Sequence, residues 1–121
     1  MSKSILIVDD SPSVRQMVEA TLKSANYLFT TAEDGQFALD ICASKQFDFI
    51  LTDLNMPRMD GITLVKSLRA LPAFSATPIV VLTTEASDAV KAQGRDAGAT
   101  GWMVKPFDPR KLLQIVAKVI G

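Results

Sequence analysis

Short apolar runs alternate with helical patterns along all 121 residues of the chain. Ile5-Leu6-Ile7-Val8 has the length and β-branched content of a buried strand. Ser11-Pro12 then reads as a helix N-cap followed by proline in the first turn. Val14, Met17, Val18, Thr21 and Leu22 keep the spacing of one helix face. Residues 27–31 form a less apolar strand, expected near a sheet edge. Asp34-Gly35 opens a helix with Phe37, Ala38, Ile41 and Cys42 inward. Phe49-Ile50-Leu51-Thr52 is a central strand that runs into Asp53, and a helix with Ile62, Val65, Leu68 and Leu71 inward follows the loop over residues 54–61. A turn-rich connector over 72–78 leads to Ile79-Val80-Val81-Leu82, the most apolar strand. A helix over 86–97, a strand over 101–105 and an amphipathic helix over 109–120 complete five β-α units. The helix over 86–97 offers only small or modest inward candidates, Ala86, Ala89, Val90, Gly94 and Ala97, and is expected to be weakly anchored.

Strict alternation with short connections predicts an α/β fold: one parallel sheet with right-handed crossovers and helices on both faces. Continuously apolar strands agree, because a strand covered on both faces cannot alternate. No repeat or linker interrupts the pattern, so residues 1–121 read as a single domain. Composition narrows the function classes. Thirteen Lys and Arg balance thirteen Asp and Glu, which argues against a protein that coats nucleic acid or anionic membrane. The apolar stretch after Met1-Ser2-Lys3-Ser4 is too short for a signal peptide or a membrane span, and Asp9-Asp10 ends it. Histidine is absent and Cys42 is the single cysteine, which argues against a zinc site, a Ser-His triad and an internal disulfide. The expected setting is the cytoplasm.

Ligands of an open parallel sheet bind beyond the carboxyl ends of its strands. Those ends carry Asp9-Asp10, Asp53, Thr83 and Lys105. Three carboxylates gathered at one edge repel unless a proton or a cation intervenes. Carboxylate oxygens suit a hard ion, and Mg²⁺ takes one or two directly while water and phosphate fill its octahedron. A nearby lysine is a point charge for phosphate oxygens, and the threonine can donate a hydrogen bond to one. These parts describe phosphoryl transfer. The single acid on the central strand, Asp53, is the better acceptor, because an adjacent acidic pair is better placed to hold metal.

Asp9-Asp10, Asp53, Met56-Pro57 with Asp60-Gly61, Thr83 and Lys105-Pro106-Phe107 together resemble the signature of the response-regulator receiver domain. Each short motif is weak alone, but their joint order is specific and spans essentially the whole chain. The resemblance implies a flavodoxin-like, doubly wound five-stranded sheet in the order 2-1-3-4-5 with five helices. It implies phosphorylation of Asp53 by a histidine kinase, with Mg²⁺ held by Asp10, Asp53 and the backbone carbonyl of Asn55, and by Asp9 through water. Thr83 and Lys105 would bind the phosphoryl oxygens, and the Lys105–Pro106 bond would be cis. Such a protein is not an enzyme beyond its own phosphorylation and dephosphorylation.

The pattern is most similar to the family's single-domain chemotaxis members. Asn55 and Glu85 stand where side chains tune the rate at which water removes the phosphoryl group. With the last helix ending the chain, output is expected through a surface, to a flagellar motor switch protein or another phosphorylation-dependent target. A phosphatase is a further possible partner, and the expected state is a monomer. Trp102 departs from the pattern: it stands where chemotaxis members commonly carry a tyrosine that turns inward on activation, so Thr83 and Trp102 are the expected switch pair.

Two other classes fit the pattern less well. A flavin-binding flavodoxin needs a Ser/Thr/Gly-rich phosphate loop after the first strand, where Asp9-Asp10 would repel the cofactor. A metal-dependent aspartyl phosphatase places its nucleophile after the first strand and carries a cap, for which no residues remain. A phosphate sink, or a receiver separated from a larger protein, keeps the chemistry and changes the role. The blander readings make Cys42, Met17 and Met103 core residues, Asp60 the N-cap of the helix after it, and Lys91, Arg95, Arg110 and Lys111 a solvated face.

Overall fold

The computed structural model describes residues 3–85, 87–106 and 108–120. Met1, Ser2 and Gly121, Ala86 at the expected start of the fourth helix, and Phe107 of the Lys-Pro-Phe motif lie outside the described residues. In chain order the elements are β1 (Ser4–Val8), α1 (Pro12–Ser24), β2 (Leu28–Ala32), α2 (Gly35–Cys42), β3 (Phe49–Thr52), α3 (Gly61–Arg69), a 3₁₀ turn (Pro72–Phe74), β4 (Ile79–Thr83), α4 (Asp88–Ala97), β5 (Gly101–Val104) and α5 (Pro109–Ile120). All strand pairs are parallel, and the sheet order is β2-β1-β3-β4-β5. The fold is the flavodoxin-like one expected, with β2 on an edge and β3 in the centre.

Alternation along each strand divides the apolar residues between two cores. Leu6, Val8, Ile50 and Val81 face one side, with Ala38, Cys42, Leu64, Val65, Leu68 and Ala97 of α2, α3 and α4. Ile5, Ile7, Phe49, Leu51, Val80 and Leu82 face the other, with Val18, Leu22, Leu112 and Val116 of α1 and α5. Side-chain caps start four of the helices: Ser11, Asp34, Asp60 and Ser87 accept the N–H groups of Val14, Phe37, Thr63 and Val90. The N-cap reading of Asp60 thus holds. Among the described residues no helix is long and apolar enough to cross a membrane.

Two expected core residues are exposed. Met17 is 51% and Phe37 46% accessible. Each lies one residue from a fully buried position, Val18 and Ala38, and one residue turns a side chain about 100° around a helix axis. Ala89 is likewise exposed, whereas Gly94 and Ala97 are buried.

Candidate functional site

The carboxyl ends of β1 and β3 lie side by side because their backbones pair to the last residue: Asp53 N–H donates to the Val8 carbonyl at 2.8 Å. Carboxylate oxygens of Asp9, Asp10 and Asp53 consequently lie within 4.8 Å of one another. Asp9 and Asp53 are buried and Asp10 is exposed, so the cluster opens to solvent on one side. Lys105 reaches it from beyond β5, where its N–H extends the pairing to the Thr83 carbonyl at 2.9 Å. Its Nζ stands 3.0 Å from Asp9 Oδ2 and 3.3 Å from Asp53 Oδ2. The Lys105–Pro106 bond is cis, as the resemblance implies.

Each buried carboxylate divides its oxygens in the same way. Asp9 Oδ1 accepts the Ser11 N–H at 2.9 Å and Asp53 Oδ1 the Leu54 N–H at 2.8 Å, while both Oδ2 atoms face Lys105. Burial pushes the Asp53 pKa up, and the neighbouring Asp9 charge adds to this; together they outweigh the Lys105 ammonium and the Leu54 N–H. For Lys105 burial acts against the charge, but its contacts with Asp9 and Asp53 more than offset that and raise its pKa. One ammonium among three carboxylates leaves the ionised cluster with negative charge to spare. All-oxygen donors, close spacing and an open side fit a hard divalent cation.

Thr83 ends β4 with 1% of its surface accessible, and its hydroxyl accepts the Glu85 N–H at 3.2 Å. Thr84, the next residue, is exposed. Asn55 and Glu85 line one groove together with Leu54, which follows Asp53 in the chain, and with Asp60, Val90 and Gln93. Trp102 is half-buried on β5, and its Nε1–H donates to the Glu85 carbonyl at 2.9 Å. A chain of contacts therefore runs from Thr83 through the Glu85 backbone to Trp102.

Three features of the packed chain have no full signature in the sequence. Asp34 caps α2 and also receives Arg58 from the loop after β3, through Nε at 3.1 Å and through Nη2. The Phe37 N–H and the Arg58 guanidinium hold the Asp34 pKa below the usual carboxylate range. Arg69, at the end of α3, donates to the carbonyls of Gly98, Phe74 and Thr77 and to the Thr100 hydroxyl. The ring of Trp102 lies against Gly94; glycine inside a helix pattern was a visible signal, but its partner was not. Cys42 is buried, and burial pushes its thiol up to about 11, which agrees with a core role.

Residues 5–117 match the family model described as the response regulator receiver domain. Among curated proteins, the chain is 38% identical over 109 residues to the transcriptional regulatory protein ResD of Bacillus subtilis, covering 90% of this chain but 44% of ResD. It is 36% identical to the chemotaxis protein CheY of Pseudomonas aeruginosa, covering 95% of this chain and 94% of that protein. Thus the chain spans less than half of one relative and nearly all of another. Among solved structures, the chemotaxis response regulator CheY4 of Vibrio cholerae is 46% identical with a TM-score of 0.93, over 98% of this chain and 99% of that one. The receiver domain of the sensor histidine kinase PA1611 from Pseudomonas aeruginosa, described with a magnesium ion coordinated in its active-site cleft, is 30% identical with a TM-score of 0.92, over 100% of this chain and 99% of that one.

Proposed function

The chain belongs to the response regulator receiver domain family, and from that premise we propose that Asp53 accepts a phosphoryl group from a histidine kinase in a Mg²⁺-dependent reaction. The observation that carries the reading is the convergence of Asp9, Asp10 and Asp53 within 4.8 Å, with Lys105 set against the two buried acids. Residues 1–121 act as one receiver domain, in the cytoplasm, and the chemistry is confined to its own Asp53.

Asp10, Asp53 and the Asn55 carbonyl would hold the cation. Asp9 takes an indirect part, supported by the existing partners of both its oxygens, Ser11 N–H and Lys105. The metal supplies charge neutralisation where carboxylates and phosphoryl oxygens meet. The chain's own residues do the rest. Leu54 N–H fixes one Asp53 oxygen, and with it the plane of the carboxylate. Asp53 attacks phosphorus, forming an O–P bond as the donor's N–P bond breaks, and the leaving imidazole keeps the electron pair and takes a proton from solvent. Lys105 balances charge on the incoming phosphoryl oxygens, and the Thr83 hydroxyl turns from its local contact to donate to one of them. That turn disturbs the Glu85 N–H contact and so reaches Trp102.

A chemotaxis role, with control of a flagellar motor switch, draws support from the identity to CheY over 95% of this chain, the similarity to CheY4, and Asn55 with Glu85 lining one groove. The match to ResD favours a second reading, the receiver of another phosphorelay or a phosphate sink. Trp102 fluorescence tests the chemistry: Mg²⁺ plus beryllofluoride should shift the emission of the wild type and leave Asp53→Asn unchanged. A flat wild-type response would remove the proposed coupling. Phosphorylation-dependent binding of a motor switch protein separates the two roles; no gain on phosphorylation would favour the second.

A further inference from the structure

We propose that Arg58 is a positioning residue for the Mg²⁺ site, latching the loop that carries the Asn55 carbonyl to the turn that opens α2. The inference rests on the reading of Asn55 as a metal ligand. The base of the loop is fixed by its own backbone: Gly61 N–H donates to the Leu54 carbonyl at 2.7 Å, and a β-carbon on Gly61 would stand 2.3 Å from the Asp53 carbonyl. The tip, from Asn55 to Met59, projects past that closure. Two of its contacts fall on adjacent residues of another segment. Arg58 pairs with Asp34, and Met59 packs so closely on Gly35 that a β-carbon there would lie 3.0 Å from Met59 Cγ.

The pair is asymmetric. The Arg58 side chain is 63% exposed and that of Asp34 4%. Asp34 is already fixed, because its Oδ1 caps α2 through the Phe37 N–H at 2.8 Å. Its Oδ2 receives both Nε and Nη2 of Arg58. The helix cap is thus the anchor, and the loop is what the pair holds. Arg58 also has a φ of 67°, the left-handed region that a residue with a β-carbon enters at a cost. The backbone closes around Arg58 locally, and the pair with Asp34 ties that closed turn to the start of α2. Pro57 next to it removes a backbone rotation, and Met59 N–H closes on the Pro57 carbonyl at 2.7 Å. A displacement of Arg58 is therefore passed along the loop toward Asn55. Mg²⁺ demands near-ideal octahedral geometry, so a ligand out of place is felt as lost affinity.

Calorimetric titration of MgCl₂ into the full chain tests this with Arg58→Gly, Asp34→Asn, the double variant and Arg58→Lys. Glycine accepts the positive φ, and asparagine keeps an acceptor for the Phe37 N–H, so each removes the pair without removing the local conformation. Each single variant is expected to weaken Mg²⁺ roughly threefold to tenfold, at or below the usual range for groups that hydrogen-bond a metal ligand directly. The double variant should be no weaker than the worse single, and Arg58→Lys should recover part of the loss. Wild-type affinity in Arg58→Gly, or losses that add in the double variant, would overturn the latch. A wild type that takes up no Mg²⁺ would overturn the site reading, and the latch with it.

Discussion

A β-carbon on Gly94 would stand 2.4 Å from Cζ3 of Trp102, so the glycine inside α4 and the indole on β5 are fitted to each other. Glycine in a helix interior ordinarily costs about 1 kcal/mol relative to alanine. Here it makes room for the ring, whose Nε1–H also holds the Glu85 carbonyl at the start of the segment leading to α4.

The fit predicts a reversal of sign. Gly94→Ala should destabilise the wild type by about 1–3 kcal/mol, because the ring must move out of a packed position. In a Trp102→Ala background the same substitution should stabilise by up to about 1 kcal/mol, since helix propensity then acts alone. Urea unfolding of the four proteins measures both. Stabilisation in both backgrounds would show that the ring yields freely.

Asp53 carries a second prediction, made for protein without divalent cations. Its folded pKa is raised, so between the ordinary Asp value of about 3.9 and that raised value the folded state binds more protons than the unfolded one. Stability therefore falls as pH rises through this window, and the loss persists above it. Asp53→Asn should melt above the wild type at neutral pH, with the gap closing toward the acid end of the window. Thermal melts in chelator across pH read this directly; an Asp53→Asn variant that melts lower at neutral pH would contradict it.

Arg69 predicts a structural effect away from the phosphoryl chemistry. Its guanidinium joins the end of α3 to the carbonyls of Phe74 and Thr77 and to the turn between α4 and β5 through Gly98 and Thr100. Arg69→Ala should cost about 2–3 kcal/mol and speed amide exchange around Gly98 to Thr100. Unchanged exchange there would mean that the turn holds itself.

What the sequence made legible follows from how parallel sheets are built. Continuous apolar strands name the strands, and the fold sends their carboxyl ends to one edge, so Asp9, Asp10, Asp53 and Lys105 could be grouped before any distance was known. Spacing fixes a helix face only to within one position, which is why Met17 and Phe37 came out exposed beside buried Val18 and Ala38. Arg58 and Asp34 lie 24 residues apart, and Arg69 and Gly98 lie 29 apart. Neither pair repeats a period or a motif, so only the packed chain brings them together. Gly94 was visible as a weak point of its helix, and its meaning came from Trp102.

The central claim concerns one covalent bond. Intact-mass spectrometry of the chain incubated with Mg²⁺ and a small-molecule phosphodonor should show one added phosphoryl group. Chelator should prevent the addition, Asp53→Asn should abolish it, and peptide mapping should place it on Asp53. No addition under conditions that label a known receiver domain, or full addition to the Asp53→Asn variant, would contradict the account.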